Sequence, residues 1–385
     1  GAGTQGGAVM CAFLGGWLSD RVGRRIIFMS TMGMFVIFAL AQAFSPNMWT
    51  LVIIRFILGI PLGSDISTGY SYMMEAMPSG KREIMGNRWQ FMFAMGEVFT
   101  LAVISIFIAS GMSHGLIWRL TLGLGALPAA IIFIMRHSLP ETAIWLIRKG
   151  RFREAKQVTQ IMYNDPLEML PDRDVIVPHG RITDFIADTS RDPIRWRATI
   201  YSWIACFAQS TEFSTFAFYI PVLFVMVGVS GTLGTSLVTL ALYIIAAISG
   251  WVGPLITPHI GQRKLSIWGF AIVLVALLVA AFALYTHTLA ILPFAAAAML
   301  WGHYWDAENV MTIPSMVAKP EYRGTASGFA YIFVKLPAFL SIFLFPVMFE
   351  TIGHANATLF TAIFPLIGLL AAIFLLPEVY GFEHH

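Results

Sequence analysis

Apolar runs recur along almost the whole chain, each about as long as a bilayer is thick. A helix needs roughly 20 mostly apolar residues to cross the hydrocarbon core. Runs that meet this fall at residues 1–18, 27–44, 50–74, 84–110, 116–135, 197–226, 234–256, 265–285, 289–317, 325–349 and 356–377, eleven in all. Only 12% of the residues are charged and 57% are hydrophobic. A water-soluble chain carries roughly 25% charged residues, so this one has too little polar surface for water. The expected fold is an all-α membrane protein, with tilts or kinks at Pro61, Pro128, Pro221 and Pro337.

The loops orient the spans. One set carries Arg21, Arg24 and Arg25; Lys81, Arg82 and Arg88; Arg263 and Lys264; Lys319 and Arg323; and the long polar stretch from Arg136 to Arg197. The alternate loops, at 45–49, 111–115, 227–233, 286–288 and 350–355, contain no lysine or arginine. Positive charge stays on the cytoplasmic side, so the first set is expected inside. The first run then starts outside, and one further span is expected before Gly1. That would make twelve spans, two six-helix bundles, and both termini cytoplasmic in a multi-pass plasma-membrane protein. The expected units are a first bundle over 1–136, a cytoplasmic linker with short helices over 137–196, and a second bundle over 197–380. Within the linker, 148–162 has an amphipathic pattern, and Pro166, Pro171 and Pro178 interrupt the residues after it. Residues 381–385 end in Glu383-His384-His385, which resembles the start of a purification tag.

Several function classes are excluded. A net charge of +3 without a basic stripe of interleaved aromatics does not suit nucleic acid. Cys11 and Cys206 lie in apolar runs and are expected as inert small hydrophobes. No metal-ligand spacing and no cofactor motif is present. A membrane enzyme would need a nucleophile, a base and ligands clustered on adjacent spans, and none is evident.

Buried charge is the functional signal. Asp65, Glu97, Glu212, Asp306 and Glu308 fall near the middle of their runs, with Arg55 and Lys335 nearer the ends. A charge at the bilayer centre costs at least about 2.5–3.5 kcal/mol, so such groups face a cavity or a partner. Five acids cannot all pair with two bases, and the surplus is expected to be protonated part of the time. Asp65, Glu97, Glu212 and Asp306 are therefore candidates for proton coupling. Asp65, Thr68 and Tyr72 share one helical face, as do Gln209, Glu212, Phe216 and Tyr219, and His303, Asp306 and Asn309. Glu308 stands about 200° from Asp306 at 100° per residue and shares its face with Trp301 and Trp305. Candidates for substrate contact are Arg55, Tyr72, Gln209, Trp305, Glu308, Asn309 and Lys335. Bland roles stay open: Arg55 as a brace, Asp65 or Lys335 as a structural partner, His303 as a bonded core residue.

Between the first two runs stands Gly16-Trp17-Leu18-Ser19-Asp20-Arg21-Val22-Gly23-Arg24-Arg25. This resembles the G-x-x-x-D-R-x-G-R-R signature of the major facilitator superfamily. The resemblance implies a cytoplasmic gate in which Gly16 and Gly23 permit close approach while Asp20, Arg21, Arg24 and Arg25 latch helix ends. A weaker copy runs from Gly253 to Lys264 and lacks the acid. Three further stretches resemble boxes of the sugar porters and their metabolite–proton symporter relatives: Arg55 to Asp65 with Tyr72 to Arg82, Pro140 to Leu146, and Pro377 to Gly381. The chain departs from sugar porters at Gln209-Ser210-Thr211-Glu212, where paired glutamines are usual, and at Trp301 to Asn309. The stretch Lys319 to Gly328 looks more like the organic-ion and metabolite symporters. The resemblance implies a monomeric secondary transporter working by alternating access, with a small polar metabolite, an organic anion or a sugar, moved together with protons. Uncoupled facilitation, drug-type efflux and a transporter-like nutrient receptor are the alternatives.

Overall fold

The computed structural model describes residues 2–165, 168, 171–173 and 181–383. The described residues of all eleven apolar runs are almost wholly helical. The first half holds α1 (Ala2–Val22), α2 (Arg24–Ala43), α3 (Met48–Ala76), α4 (Lys81–Asn87) running into α5 (Trp89–Ala109), and α6 (His114–Leu124) running into α7 (Ala126–His137). The linker forms α8 (Ala143–Arg148), α9 (Phe152–Tyr163) and α10 (Ile182–Ser190). The second half holds α11 (Pro193–Met226), α12 (Thr232–Tyr285), α13 (Leu292–Glu308), α14 (Thr312–Val317), α15 (Arg323–Ile352), α16 (His354–Thr361) and α17 (Ile363–Phe374). Seven helical segments among the described residues are long and apolar enough to cross a membrane. The 54-residue α12 is one of them; it breaks at Gly261, where φ is 82°, and supplies two runs. Phe44, Trp49, Ile134 and Phe294 stand over 70% exposed on the outside, as expected where lipid is the solvent.

Pro61, Pro221 and Pro337 lie inside long helices as expected. Pro128 sits in the first turn of α7, just after the interruption between α6 and α7 at Gly125, as a residue with no N–H for the Leu124 carbonyl requires. The amphipathic stretch starts later than its pattern suggests, because Gly150, at φ 74°, separates α8 from α9. α9 then buries Phe152, Ala155, Val158 and Thr159 along one side. Pro166, Pro178, His384 and His385 lie outside the described residues. Gly381 and Phe382 are tied back to α4. The Gly381 amide donates to Glu83 Oε1 (2.8 Å), and Arg82 Nη2 donates to the Phe382 carbonyl (3.0 Å).

The same device appears once in each half. α2 begins after Gly23 (φ 117°), and Glu141 accepts from the amides of Arg24 (3.1 Å) and Arg25 (3.0 Å). The second segment of α12 begins after Gly261, and Glu378 accepts from the amides of Gln262 (3.0 Å) and Arg263 (3.1 Å). Each carboxylate fills the unpaired donors and positive end of a helix N-terminus. A Cβ would lie 2.5 Å from Glu141 Oε2 at position 23 and 2.2 Å from Glu378 Oε2 at position 261. The Pro-Glu boxes are thus half of a turn whose other half is a glycine more than a hundred residues earlier.

Small residues set how the halves meet. α1 packs on α3 inside the first half, where a Cβ on Gly7 would reach 2.0 Å from the Phe56 carbonyl. Across the halves, α1 packs on α15 with Gly16 and Gly324 face to face, and α12 packs on α5 with Gly250 against the Phe91 backbone. Close backbone contact supplies packing energy where lipid offers no hydrophobic gain.

Candidate functional site

A cavity of about 520 Å³ lies between the halves. α1 gives Gln5, α3 gives Leu62 and Ile66, and α5 gives Trp89, Gln90, Phe93 and Glu97. From the other side α11 gives Gln209, Ser210, Phe213 and Ser214, α13 gives His303, and α15 gives Tyr331, Val334, Lys335 and Ala338. The wall alternates aromatic faces with amide, hydroxyl and charged groups, the usual make-up of a small-molecule site. Gln5 Oε1 and Gln209 Nε2 are buried and have no hydrogen-bond partner among the described residues. Buried polar atoms are rarely left so. One is an acceptor and the other a donor, and a hydroxyl group can satisfy both. Lys335 lies 5.2 Å from the Tyr331 ring centre, and neither it nor Glu97 forms an ion pair among the described residues.

Of the substrate candidates, only Gln209 and Lys335 line this space. Tyr72 turns away because its hydroxyl donates to the Pro140 carbonyl (2.9 Å). Trp305 Nε1 donates to Ser249 O (3.2 Å), and its ring lies beside Trp301 and Trp268. Asn309 is held by Ser266 and the Gln262 carbonyl. Glu308 is fully buried against Gly253, one turn along α12 from the Ser249 that meets Trp301 and Trp305, so it shares the tryptophan face but lies away from the cavity. Arg55 reaches Gln42 Oε1 of α2 at 3.5 Å, a brace within one half. Gln90, Gln5, Trp89 and Phe213 are wall residues that sequence reasoning missed. Gln90 left a signal: it precedes Glu97 by seven residues, two turns along the same face.

The proton candidates separate in space. Asp65 is paired with Arg136 of α7 and accepts from Thr31 of α2 (2.9 Å), all within the first half and off the cavity. Asp65→Asn is accordingly expected to lower thermal stability by about 1–3 kcal/mol and to leave any proton movement unchanged. Melting curves and proton flux on one preparation would check this. Glu97 lies on the cavity wall. Glu212 and Asp306 meet behind it at His303, whose Nδ1 lies 3.1 Å from Glu212 Oε1 and 3.7 Å from Asp306 Oδ1. The ligating atoms of all three lie within 4.8 Å of one another, a grouping able to hold a proton or a cation.

At the end that carries the basic loops, Asp20 crosses from α1 to α15. Its carboxylate accepts from the Gly324 amide (3.1 Å), the Thr325 amide (2.9 Å) and the Thr325 hydroxyl (3.0 Å), capping α15. Arg24, fully buried, donates to Asp20 (2.9 Å), Glu75 (2.8 Å) and the Ser19 carbonyl (2.8 Å). Thr142 donates to Glu75, and Arg148 to the Pro320 carbonyl (3.3 Å). Arg21 and Arg25 stand outside this cluster: Arg21 lies over Trp17 (3.8 Å), and Arg25 donates to the His137 carbonyl (3.2 Å). In the acid-free copy, Thr257 donates to the carbonyl of Gly253 in its own helix and bonds nothing else among the described residues. The tie on that side comes from Glu83 and Arg82 to the end of the chain.

Residues 4–385 match the family described as Sugar (and other) transporter. The chain belongs to that family of transporters. Among curated relatives it is 27% identical to the inner membrane metabolite transport protein YgcS of Escherichia coli, over 98% of this chain and 83% of that one. It is also 27% identical to the glucose transporter GlcP of Staphylococcus epidermidis, over 97% and 84%. In fold it is similar to the proton:xylose symporter XylE, of the major facilitator superfamily, with a TM-score of 0.76 over 99% of this chain, 86% of that one and 20% identity. Family membership makes this chain an integral membrane transporter and not an enzyme.

Proposed function

We propose that this transporter moves a sugar or a similar polyhydroxylated metabolite across the plasma membrane by alternating access, as a monomer, together with protons. The observation that carries the substrate class is the unpaired amide acceptor and donor, Gln5 Oε1 and Gln209 Nε2, buried in an aromatic-walled cavity. The two halves each give one wall, so rocking them about it would expose it to either side in turn. The end with Asp20 and Arg24 is assigned to the cytoplasm from the loop charges, with the halves latched there in this structure. The relatives named for glucose and metabolites, and the proton:xylose symporter with the same fold, support the reading.

Labelled D-glucose and D-xylose uptake into proteoliposomes tests it. Gln90→Ala and Gln209→Ala are expected to raise KM by about tenfold or more, because each removes a polar contact made inside a dry site. Unaltered KM in both variants would sink the site assignment. A second reading, an organic anion, is favoured by Lys335 alone. It predicts that Lys335→Gln costs about a hundredfold in uptake of a sugar acid such as gluconate, whereas a neutral sugar would change by less than about threefold.

A further inference from the structure

The buried acids of this protein are not balanced alike. Asp20 and Glu75 share Arg24, and Asp65 has Arg136. Glu212 and Asp306 have no lysine or arginine within ion-pair distance among the described residues, and their only basic neighbour is His303. All three side chains are at most 4% exposed. Glu212 Oε2 and both Asp306 oxygens have no donor among the described residues. Two carboxylates this close in an apolar interior cannot both stay ionised beside a neutral imidazole. At least one proton has to reside among them, on a carboxyl or on the imidazole.

The cluster also adjoins the substrate space. His303 is a wall residue, and its ring stacks on Phe213, another wall residue, with centroids 4.5 Å apart and planes 14° apart. The imidazole thus has one face on the cavity side and its Nδ1 turned to both acids. Other titratable groups around the cluster are Glu308 at the end of α13 and Tyr201 of α11, with Glu97 and Lys335 across the cavity. α12 contributes Gly269, packed against the Asp306 backbone, and no charge.

We infer that the proton carried with substrate resides on the Glu212–His303–Asp306 cluster of the second half, and that His303 links its occupancy to the cavity. The inference rests on the proton-coupled reading above and names the seat that reading leaves open. With the cavity open to one side, the cluster takes H+ from water. That H+ is the second on the pair: one proton already resides on the two carboxyls, and the added one makes the cluster neutral for the crossing with substrate. It leaves to water on the other side, so no bond other than N–H or O–H is made or broken. The neutral state suits the closed, dry intermediate, where an uncompensated carboxylate would be most costly.

The test uses proteoliposomes of the intact protein with labelled D-glucose and D-xylose, reading sugar-driven proton uptake and sugar counterflow separately. Asp306→Asn and Glu212→Gln are expected to cut sugar-driven proton uptake by more than about tenfold while counterflow stays within about threefold. Infrared spectra of wild-type protein should also show a buried protonated carboxyl band that Asp306→Asn removes, a readout needing no turnover. Wild-type proton-to-sugar ratios in both variants, or no such band, would overturn the assignment. So would tight Zn²⁺ binding that both variants lose, since the cluster would then be a metal site. Sugar flux without protons in the wild type is a different failure: it removes the coupled reading itself, whatever the variants do.

Discussion

Gly16→Ala is expected to reduce transport by about a hundredfold, by blocking one of the two end states. A Cβ at Gly16 would stand 1.9 Å from the Gly324 carbonyl oxygen. That atom is backbone at the start of α15 and cannot swing aside as a long side chain would. Gly324 faces the reverse problem, with its own Cβ 2.3 Å from the Gly16 carbonyl. Forcing α1 and α15 apart costs about 1–3 kcal/mol or more, and the loss falls only on the state in which the two helices touch. A state bias near 3 kcal/mol shifts the equilibrium about a hundredfold. Thiol labelling of a cysteine introduced at the basic end should rise as uptake falls. Gly7→Ala is the control. Its Cβ would strike the Phe56 carbonyl within the first half, so it should lower the melting temperature without changing labelling at the basic end. Normal uptake by Gly16→Ala would show that α1 and α15 need not meet during the cycle.

Arg24→Met is the second large effect. The guanidinium is fully buried and joins Asp20, Glu75 and the Ser19 carbonyl. Removing one partner of a buried ionic group costs about 3–5 kcal/mol, because the remaining charges are left uncompensated. Here two carboxylates would be stranded, one of them also the cap on α15. Transport is expected to fall by more than about a hundredfold. Arg24→Lys should recover little, since its donors leave a single nitrogen, whereas Nη1 of Arg24 serves the Ser19 carbonyl and Nη2 serves Asp20 and Glu75. Adding Glu75→Gln to Arg24→Met removes one stranded charge and should restore part of the stability in melting curves. If Arg24→Lys transports like wild type, the fork geometry is irrelevant and the cluster is a simple charge pair.

Much of the architecture was legible along the chain. Each apolar run became helical because hydrocarbon leaves a lone segment no other way to satisfy its backbone. The gate signature was legible because glycine, acid and arginine stand within ten consecutive residues. The Pro-Glu boxes were visible as motifs, yet their capping of Gly23 and Gly261 was not. A carboxylate and the helix end it caps can be far apart in sequence, and no local pattern records their meeting.

The substrate wall shows the same division. Helical spacing grouped His303 with Asp306, and the two do meet, since that relation lies within one helix. It could not tell that Glu212 and Asp306 converge on one imidazole, that Asp65 is balanced by Arg136 instead, or that Tyr72 and Asn309 make their hydrogen bonds elsewhere. Each of those outcomes depends on the rotation of one helix about its axis relative to a neighbour. Composition and period determine that a segment spans and which residues share a face. Only the packing of small residues across helix pairs decides which face meets the cavity.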